Sequence, residues 1–500
     1  MTLGGEPTLL RVTVRTVASP EIGAGDVART VAVANELQRI GADVRWACDA
    51  DTLPSLHERG VMIDRIHVLR ASATAGRHGE IEASDTVQAS DAAETATVHD
   101  MPPDWILVDS YQLGASWQRT ARASGAKIAA FDDLMDRPID ADLVINAAAS
   151  ADAYTAVAPL ARALVGLRYA IIGDPSRPPA AGPGSLLLAF GAADPGNLTE
   201  ATLRALAARF ESLPGGAPKT VIQVSSKSRC HERVQALARG LAWACFAPEG
   251  PTSPGTPVLA IGAAGVGLLE RMQAGVPSIV LLASQNQRAL ARMAEGTGAA
   301  IIVSSVEAAC TTAVQLLSDS ATLARMAACG KASVDGKGAT RITREMNRIA
   351  GVHLRRARME DAALLHRWRN DPSVRAVSHS MDEIPWDTHV RWLEASLRNG
   401  DRHVLVAERH GIPVGTLRFD VSADCATVSI AVDPPLHGTG LGPAILDAGD
   451  PWLRIHDRRV RLCRAEIRAG NQASARAFTA AGYFAASDSY QRRVAHGSEP

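Results

Sequence analysis

A chain of 500 residues exceeds one ordinary domain and fits about three. Its formal charge of −1 leaves no broad basic or acidic face for nucleic acid or an anionic membrane, and no apolar run approaches the roughly 20 residues that span a bilayer. The stretch MTLGGEPTLLRVTV lacks the order of a signal peptide, and the seven cysteines, scattered from Cys48 to Cys463, hold no CxxC pair; the reading is a soluble cytoplasmic enzyme with reduced thiols and no metal site.

In chain order, LRVTVRTV reads as a strand, EIGAGDVART as a glycine turn opening a helix, and the helix ends near Gly41. ADVRWACD, WILVDSYQL, AKIAAFDD and DLVINAA are further strands. Apolar runs separated by helices predict a parallel sheet covered on both faces. Asp109, Asp132 and Asp133 stand at strand ends, where such folds place their ligands. One such Asp is more simply a cap; three together point to a crevice. Residues 71–100 are small and polar, and predict part helix, part surface loop, with no site.

DPSRPPAAGPG is a linker by composition. SLLLAFGAAD, KTVIQVSS, PVLAIGAAGVGLLERMQAG and VPSIVLLAS then repeat the strand–helix alternation, which closes in a helix near Ile349. Two halves of similar size predict paired Rossmann-like domains, residues 8–175 and 184–349. From Val352 the pattern changes. LRRARMEDAALLHRWRND passes from strand to helix, HVLVAERHGIPVGTLRFD is a hairpin turning at Gly411, and ATVSIAVDPPLHGTGLG is strand, glycine turn and helix start. RLCRAEIRA is a strand and NQASARAFTAAGYF a helix. Residues 352–495 thus form an α+β domain, and Pro451 is expected to distort or shorten its glycine-turn helix. The fold class is α/β: two Rossmann-like halves followed by a C-terminal α+β domain.

Gly23 and Gly25, Gly191, and Gly262, Gly265 and Gly267 bring backbone N–H groups to strand ends. Helix N-termini carry partial positive charge, so such turns around one cleft suit a diphosphate. Tight strand–helix packing explains glycine turns equally well. Glu270, within the helix after the third turn, is placed to accept from ribose hydroxyls; the alternative is a surface Glu in a helix's first turns.

Residues 10–345 resemble the UDP-sugar hydrolase of pseudaminic acid biosynthesis, a family of the two-domain glycosyltransferase-B superfamily. The family pattern IGxGHxxR, DxY, FDD, FGGxDPxN, IGAGGxxxWE and ENQ is met in order by IGAGDVAR, DSY, FDD, FGAADPGN, IGAAGVGLLE and QNQ. The resemblance implies a UDP-linked 2,4-diacetamido-trideoxy sugar, cleaved by water to free sugar and UDP. It implies UDP-sugar contacts from Gly23, Gly25, Arg29, Asp109, Tyr111, Asp132, Asp133, Gly191, Asp194, Gly265, Glu270, Asn286 and Gln287. The family's proposed base is a His where this chain has Asp26. Either Asp26 is the base, as a carboxylate activates water in inverting glycosidases, or it N-caps its helix. An Asp near a helix N-terminus is stabilised as the anion and is a weak base.

Residues 352–495 resemble the GCN5-related N-acetyltransferases. The motif is Leu436–Gly442, LHGTGLG, where the family has Q/R-x-x-G-x-G/A and His437 replaces its Arg or Gln. The second motif starts at Asn471 and ends at Tyr483. Successive N–H groups at the helix mouth suit the pyrophosphate of coenzyme A. The resemblance implies acetyl-CoA contacts from Val432, His437, Gly438, Thr439, Gly440, Leu441, Gly442, Asn471 and Ser474, and acceptor contacts from Arg369 and Asn370. It makes Glu466 the base that takes the amine proton, or else a strand Glu paired with an Arg. The family's acid is a Tyr where this chain has Phe478, so Tyr483, Tyr490 or water takes that role, with Tyr490 the candidate chosen.

Together the resemblances imply a bifunctional enzyme that N-acetylates a UDP-4-amino sugar with acetyl-CoA and hydrolyses the UDP-sugar product, without a metal. Two alternatives stand beside it: a glycosyltransferase fused to the acetyltransferase domain, and a protein that binds nucleotide and coenzyme without turnover.

Overall fold

The computed structural model describes residues 10–18, 25–70, 72–73, 84–172, 184–191, 194, 196–211, 216–225, 228–247, 256–283, 287–378, 380–486 and 489–494, with the backbone alone at 25, 26 and 151. The chain divides into two compact units. One holds Val12–Glu36 and Val44–Ile342; the other holds Thr343–Pro500 with Met1–Arg11 and Leu37–Asp43.

The first sheet contains β1 (Leu10–Thr16), β2 (Ala42–Cys48), β3 (Ile66–Val68), β4 (Trp105–Asp109), β5 (Lys127–Phe131), β6 (Leu143–Asn146) and β7 (Arg162–Val165), ordered β3-β2-β1-β4-β5-β6-β7. The second contains β8 (Leu186–Ala189), β9 (Thr220–Gln223), β10 (Ala244–Phe246), β11 (Leu259–Gly262), β12 (Ser278–Leu281) and β13 (Ala300–Val303), ordered β10-β9-β8-β11-β12-β13. Both have the doubly wound Rossmann order, and the pairs β1–β4, β4–β5, β8–β9 and β8–β11 run parallel. The apolar runs of β4 and β5 are buried, as a sheet covered on both faces requires. In each sheet the strand order reverses at one point, between β1 and β4 and between β8 and β11.

The third sheet, β14 (His353–Arg356), β15 (Arg402–Arg409), β16 (Ile412–Ser422), β17 (Cys425–Val432), β18 (Leu462–Ala465), β19 (Phe484–Ala486) and β20 (Ser489–Arg493), is mostly antiparallel. Its order is β14-β15-β16-β17-β18-β20-β19, with β17–β18 parallel. The hairpin β15–β16 turns at His410 and Gly411, both at positive φ, as a tight hairpin turn needs. The chain is therefore α/β with two Rossmann-like halves followed by an α+β region.

One expectation changes. Pro451 does not shorten its helix, which runs from Leu441 through to His456. Leu446, Trp452 and Leu453 are buried in the core on either side of it, so tertiary burial outweighs the local penalty. Segment 71–100 contains a helix, Asp85–Ala96, as expected. Its fully buried Asp91 accepts from Arg15 Nε and Nη2 at 3.2 and 2.9 Å and from Trp117 Nε1 at 2.8 Å, anchoring the helix to β1 and to the helix after β4.

Candidate functional site

At the reversal point of the first sheet, the helix Gly25–Arg39 follows β1 and carries Arg29 in its second turn. Arg29 Nε and Nη2 donate to the two oxygens of Asp109 at 2.6 Å each. Its Nη1 donates to Asp133 at 2.8 and 3.0 Å, and its guanidinium stacks 4.8 Å over the Phe131 ring. The Tyr111 hydroxyl donates to Asp133 at 2.7 Å. One cation thus serves two carboxylates in a bidentate fork, the strong geometry for such pairs. Burial pushes the Asp109 carboxyl up; Arg29 opposes this and the Asp133 charge adds to it. Burial would push Asp133 up too, but Arg29, Tyr111 and the charge of Arg137 carry it below the usual carboxylate range. The Asp133 side chain is 26% exposed and Asp109 only 1%, so Asp133 is the carboxylate this cluster shows to solvent.

Asp132 stands apart from that cluster. It accepts from the backbone of Leu134 and Met135 and from the Tyr154 hydroxyl at 2.8 Å, which shapes the turn after β5. The backbone at Gly25 and Asp26 is helical. Gly23 and the Asp26 side chain lie outside the described residues.

At the second reversal point, Gly262 ends β11 against β8, so closely that a Cβ there would sit 2.1 Å from the Ala189 carbonyl oxygen. Gly265 is the N-cap of the helix Val266–Ala274, which carries Glu270. Gln287 Oε1 accepts from the amides of Ala264 and Ala283, tying the turn after β11 to the one after β12. Asn286 lies outside the described residues. Gly191 sits after β8 at φ 92. Asp194 accepts from Leu198 and Thr199 amides at 2.9 and 3.0 Å, so its carboxylate caps the helix Leu198–Phe210.

The sequence reading missed Arg271. It is buried beneath the turn after β11, donating from Nε to Ser278 Oγ and from Nη2 to the Ala263 carbonyl. Burial lowers its pKa to about 10, with Glu270 partly opposing. A single Arg inside a helix has no sequence pattern that marks it as buried.

In the third sheet, the β17–β18 ladder stops at Thr427↔Arg464, although β17 runs on to Val432. Beyond that point no pairing joins the two strands among the described residues, which leaves a slot between them. The glycine turn lies just past it. Gly438 and Gly440 have φ 78 and 97, and His437 Nε2 donates to the Val432 carbonyl at 3.0 Å. The amides of Gly438, Gly440, Leu441 and Gly442 have no acceptor among the described residues. Thr439 Oγ1 donates to Leu436 O, fixing the turn. Asn471 caps the helix Gln472–Ala480 by accepting from the Ser474 amide.

Glu466 follows β18, exposed, with an oxygen 3.8 Å from Arg464 Nη2. Tyr490 on β20 pairs in register with Ala465, the residue before Glu466. Tyr483 and Phe478 are core residues in edge-to-face contact, and burial pushes the Tyr483 hydroxyl far up; Tyr490 packs against the same core but is only partly buried.

Arg369 and Asn370 brace the segment Ser380–Ile384. Arg369 Nη2 donates to Ser380 O; Asn370 Nδ2 donates to Ile384 O, and its Oδ1 accepts from Ile384 N. Around them the structure gathers aromatic rings that sequence reading passed over. His366, Trp386, His389 and Trp392 form a chain of rings with centroids 5.2 to 5.6 Å apart. Their signal was present as a three-residue helical spacing from Trp386 to His389 to Trp392.

Among the described residues no group of three His, Cys, Asp or Glu could hold a metal, and no helix is long and apolar enough to cross a membrane. Residues 352–483 match the family model described as acetyltransferase (GNAT) domain. The chain thus carries a GNAT acetyltransferase domain toward its C-terminal end. No curated protein matches the chain. Among solved structures it is similar to MurG of Acinetobacter baumannii, with 16% identity, covering 67% of this chain and 98% of that one, at a TM-score of 0.48. The glycotransferase of kitacinnamycin gives 16% identity, 68% and 100% coverage and a TM-score of 0.48. The spermidine N-acetyltransferase of Vibrio cholerae, solved with CoA and spermine, gives 10%, 29% and 96%, with a TM-score of 0.28.

Proposed function

We propose that the chain is a bifunctional nucleotide-sugar enzyme with three domains, residues 8–175, 184–349 and 352–495, acting in the cytoplasm. The acetyltransferase domain transfers acetyl from acetyl-CoA to the 4-amine of a UDP-4-amino sugar. The glycosyltransferase-B-like pair of Rossmann halves then hydrolyses the UDP-diacetamido-trideoxy sugar of a pseudaminic-acid-type pathway to free sugar and UDP. The observation that carries this is the convergence of Arg29, Asp109, Tyr111 and Asp133 at a reversal point, in the company of a GNAT domain.

In this reading UDP lies against the amides of the turns at Gly191 and Gly265, with Glu270 on the ribose and Gln287, beside Asn286, holding the turn. The sugar meets Asp133 and Tyr111. Arg29 occupies the oxygens of Asp109 and Asp133 with its hydrogen bonds, so neither is a free base and the water is activated by Asp26. In the acetyltransferase domain, the coenzyme's pyrophosphate meets the amides of Gly438, Gly440, Leu441 and Gly442, and its pantetheine arm enters the slot between β17 and β18. Glu466 takes the amine proton and Tyr490 protonates the departing thiolate. Arg369 and Asn370 hold the acceptor side by bracing its loop.

The test is mass spectrometry of products from a UDP-4-amino sugar with acetyl-CoA. A gain of one acetyl and a loss of UDP support both halves. UDP release that requires an added acceptor replaces hydrolysis by glycosyl transfer. Thermal stabilisation by UDP and CoA with no product reduces the chain to a binding protein.

A further inference from the structure

The glycine turn is held from a helix upstream of the residues that match the acetyltransferase model. The helix Gly338–Ala350 belongs, from Thr343 onward, to the same compact unit as the third sheet. Arg344 Nε donates to the Gly438 carbonyl at 2.6 Å, and Asn347 Nδ2 donates to the Thr439 carbonyl at 2.9 Å. Asn347 is only 3% exposed and is itself fixed, its side-chain and backbone oxygens both accepting from Arg409 of β15. Arg348 pairs with Asp447 on the helix that the turn opens, at 2.9 Å. A Cβ at Gly440 would lie 2.5 Å from the Arg344 carbonyl oxygen, so the helix backbone is in direct contact with the turn.

Two consecutive carbonyls of the turn are therefore tied back, and the Thr439 amide donates to Leu436, while the amides of Gly438, Gly440, Leu441 and Gly442 stay without acceptors among the described residues. Fixing a peptide by its oxygen fixes the direction of the next N–H, and successive amides so fixed make an anion-binding concavity. Arg344 has an exposed side chain, no carboxylate partner among the described residues, and Nη2 3.8 Å from the Cβ position of Gly438. Only its Nε is spent on the turn, so the remaining N–H donors of the guanidinium stand at the lip of the same amide array.

We propose that Arg344 and Asn347 complete the coenzyme site from outside the acetyltransferase segment. Asn347 is a positioning residue that orients the turn through Thr439. Arg344 binds the coenzyme's pyrophosphate. The inference rests on the reading of this domain as an acetyl-CoA enzyme.

Calorimetry on the full chain tests it, with CoA and with dephospho-CoA, which keeps the pyrophosphate and lacks the 3′-phosphate. Arg344→Gln is expected to weaken both ligands about tenfold, the size of one charge-assisted contact, and Arg344→Lys to recover part of the loss. The loss should shrink at high salt. Asn347→Asp keeps an acceptor for Arg409 but sets a carboxylate oxygen against the Thr439 carbonyl where a donor stood, so it should push the turn out of place and cost at least about fivefold in affinity. A loss confined to CoA would assign Arg344 to the 3′-phosphate and overturn the pyrophosphate contact. Unchanged affinity in Arg344→Gln and Asn347→Asp, with the unaltered chain binding CoA, overturns the inference alone. Failure of the unaltered chain to bind CoA overturns the coenzyme reading itself.

Discussion

The reversal point of the first sheet and the glycine turn of the third are built from opposite materials. At the first, Arg29 joins Asp109 and Asp133 with Tyr111 added, so the polarity comes from side chains that already satisfy one another. At the second, the donors are backbone amides, with Asn347 and Thr439 holding the turn in place and the Arg344 guanidinium at its lip. A site of paired charges loses balance when one partner is removed. A site of amides fails when the backbone can no longer take its shape.

The largest effect that follows is at Arg29. Arg29→Met leaves Asp109 buried beside Asp133 with no cation between them, and is expected to cost about 3–5 kcal/mol of stability and to abolish sugar release. Chemical denaturation and UDP release measure the two; wild-type values in both would remove the cluster from the site. Next is Gly440→Ala. The turn has φ 97 there and the new Cβ would meet the Arg344 carbonyl at 2.5 Å, so CoA affinity should fall at least tenfold while UDP-sugar turnover is untouched. Equal losses in both activities would erase the contrast between the two sites.

Asp26→Asn should eliminate UDP release and leave acetylation intact, with a product assay for each; full turnover would return Asp26 to a capping role. Smaller is Asn471→Ala, which removes the cap of the helix Gln472–Ala480 and should cost about 1 kcal/mol, read as a fall in Tm. Acid separates the regions more gently. Asp133, Asp361 and Asp457 are held below the usual carboxylate range; burial opposes this, and the arginines Arg29, Arg355 and Arg459 supply the lowering charge and hydrogen bonds. A depressed carboxylate adds stability above its unfolded pKa of about 4, and that stability is lost as pH falls further through the folded value. Tm should therefore be steady near neutrality and drop below about pH 4. A Tm that rises on acidification would contradict those ion pairs.

Most strands were legible because β4, β5, β8 and β12 are apolar runs buried on both faces and β1 alternates apolar with polar residues. β3, β7, β10 and β13 were not singled out. They have only three or four residues each and are partly exposed, so their pairing with a neighbour, and not their own composition, makes them strands. The glycine turn at Leu436–Gly442 was legible too, since its function lies in the backbone and only glycine tolerates those angles.

The sequence by itself determined the alternation of strand and helix, the change of character at Val352 and the glycine turns, because periodicity and left-handed backbone are local properties. Only the tertiary structure decided that Arg29 meets Asp109 and Asp133, 80 and 104 residues away, that Asp91 closes on Arg15, and that Arg271 and Arg344 stand behind the two turns. A charge has no period, and its partner is chosen by which strand ends the sheet order brings side by side.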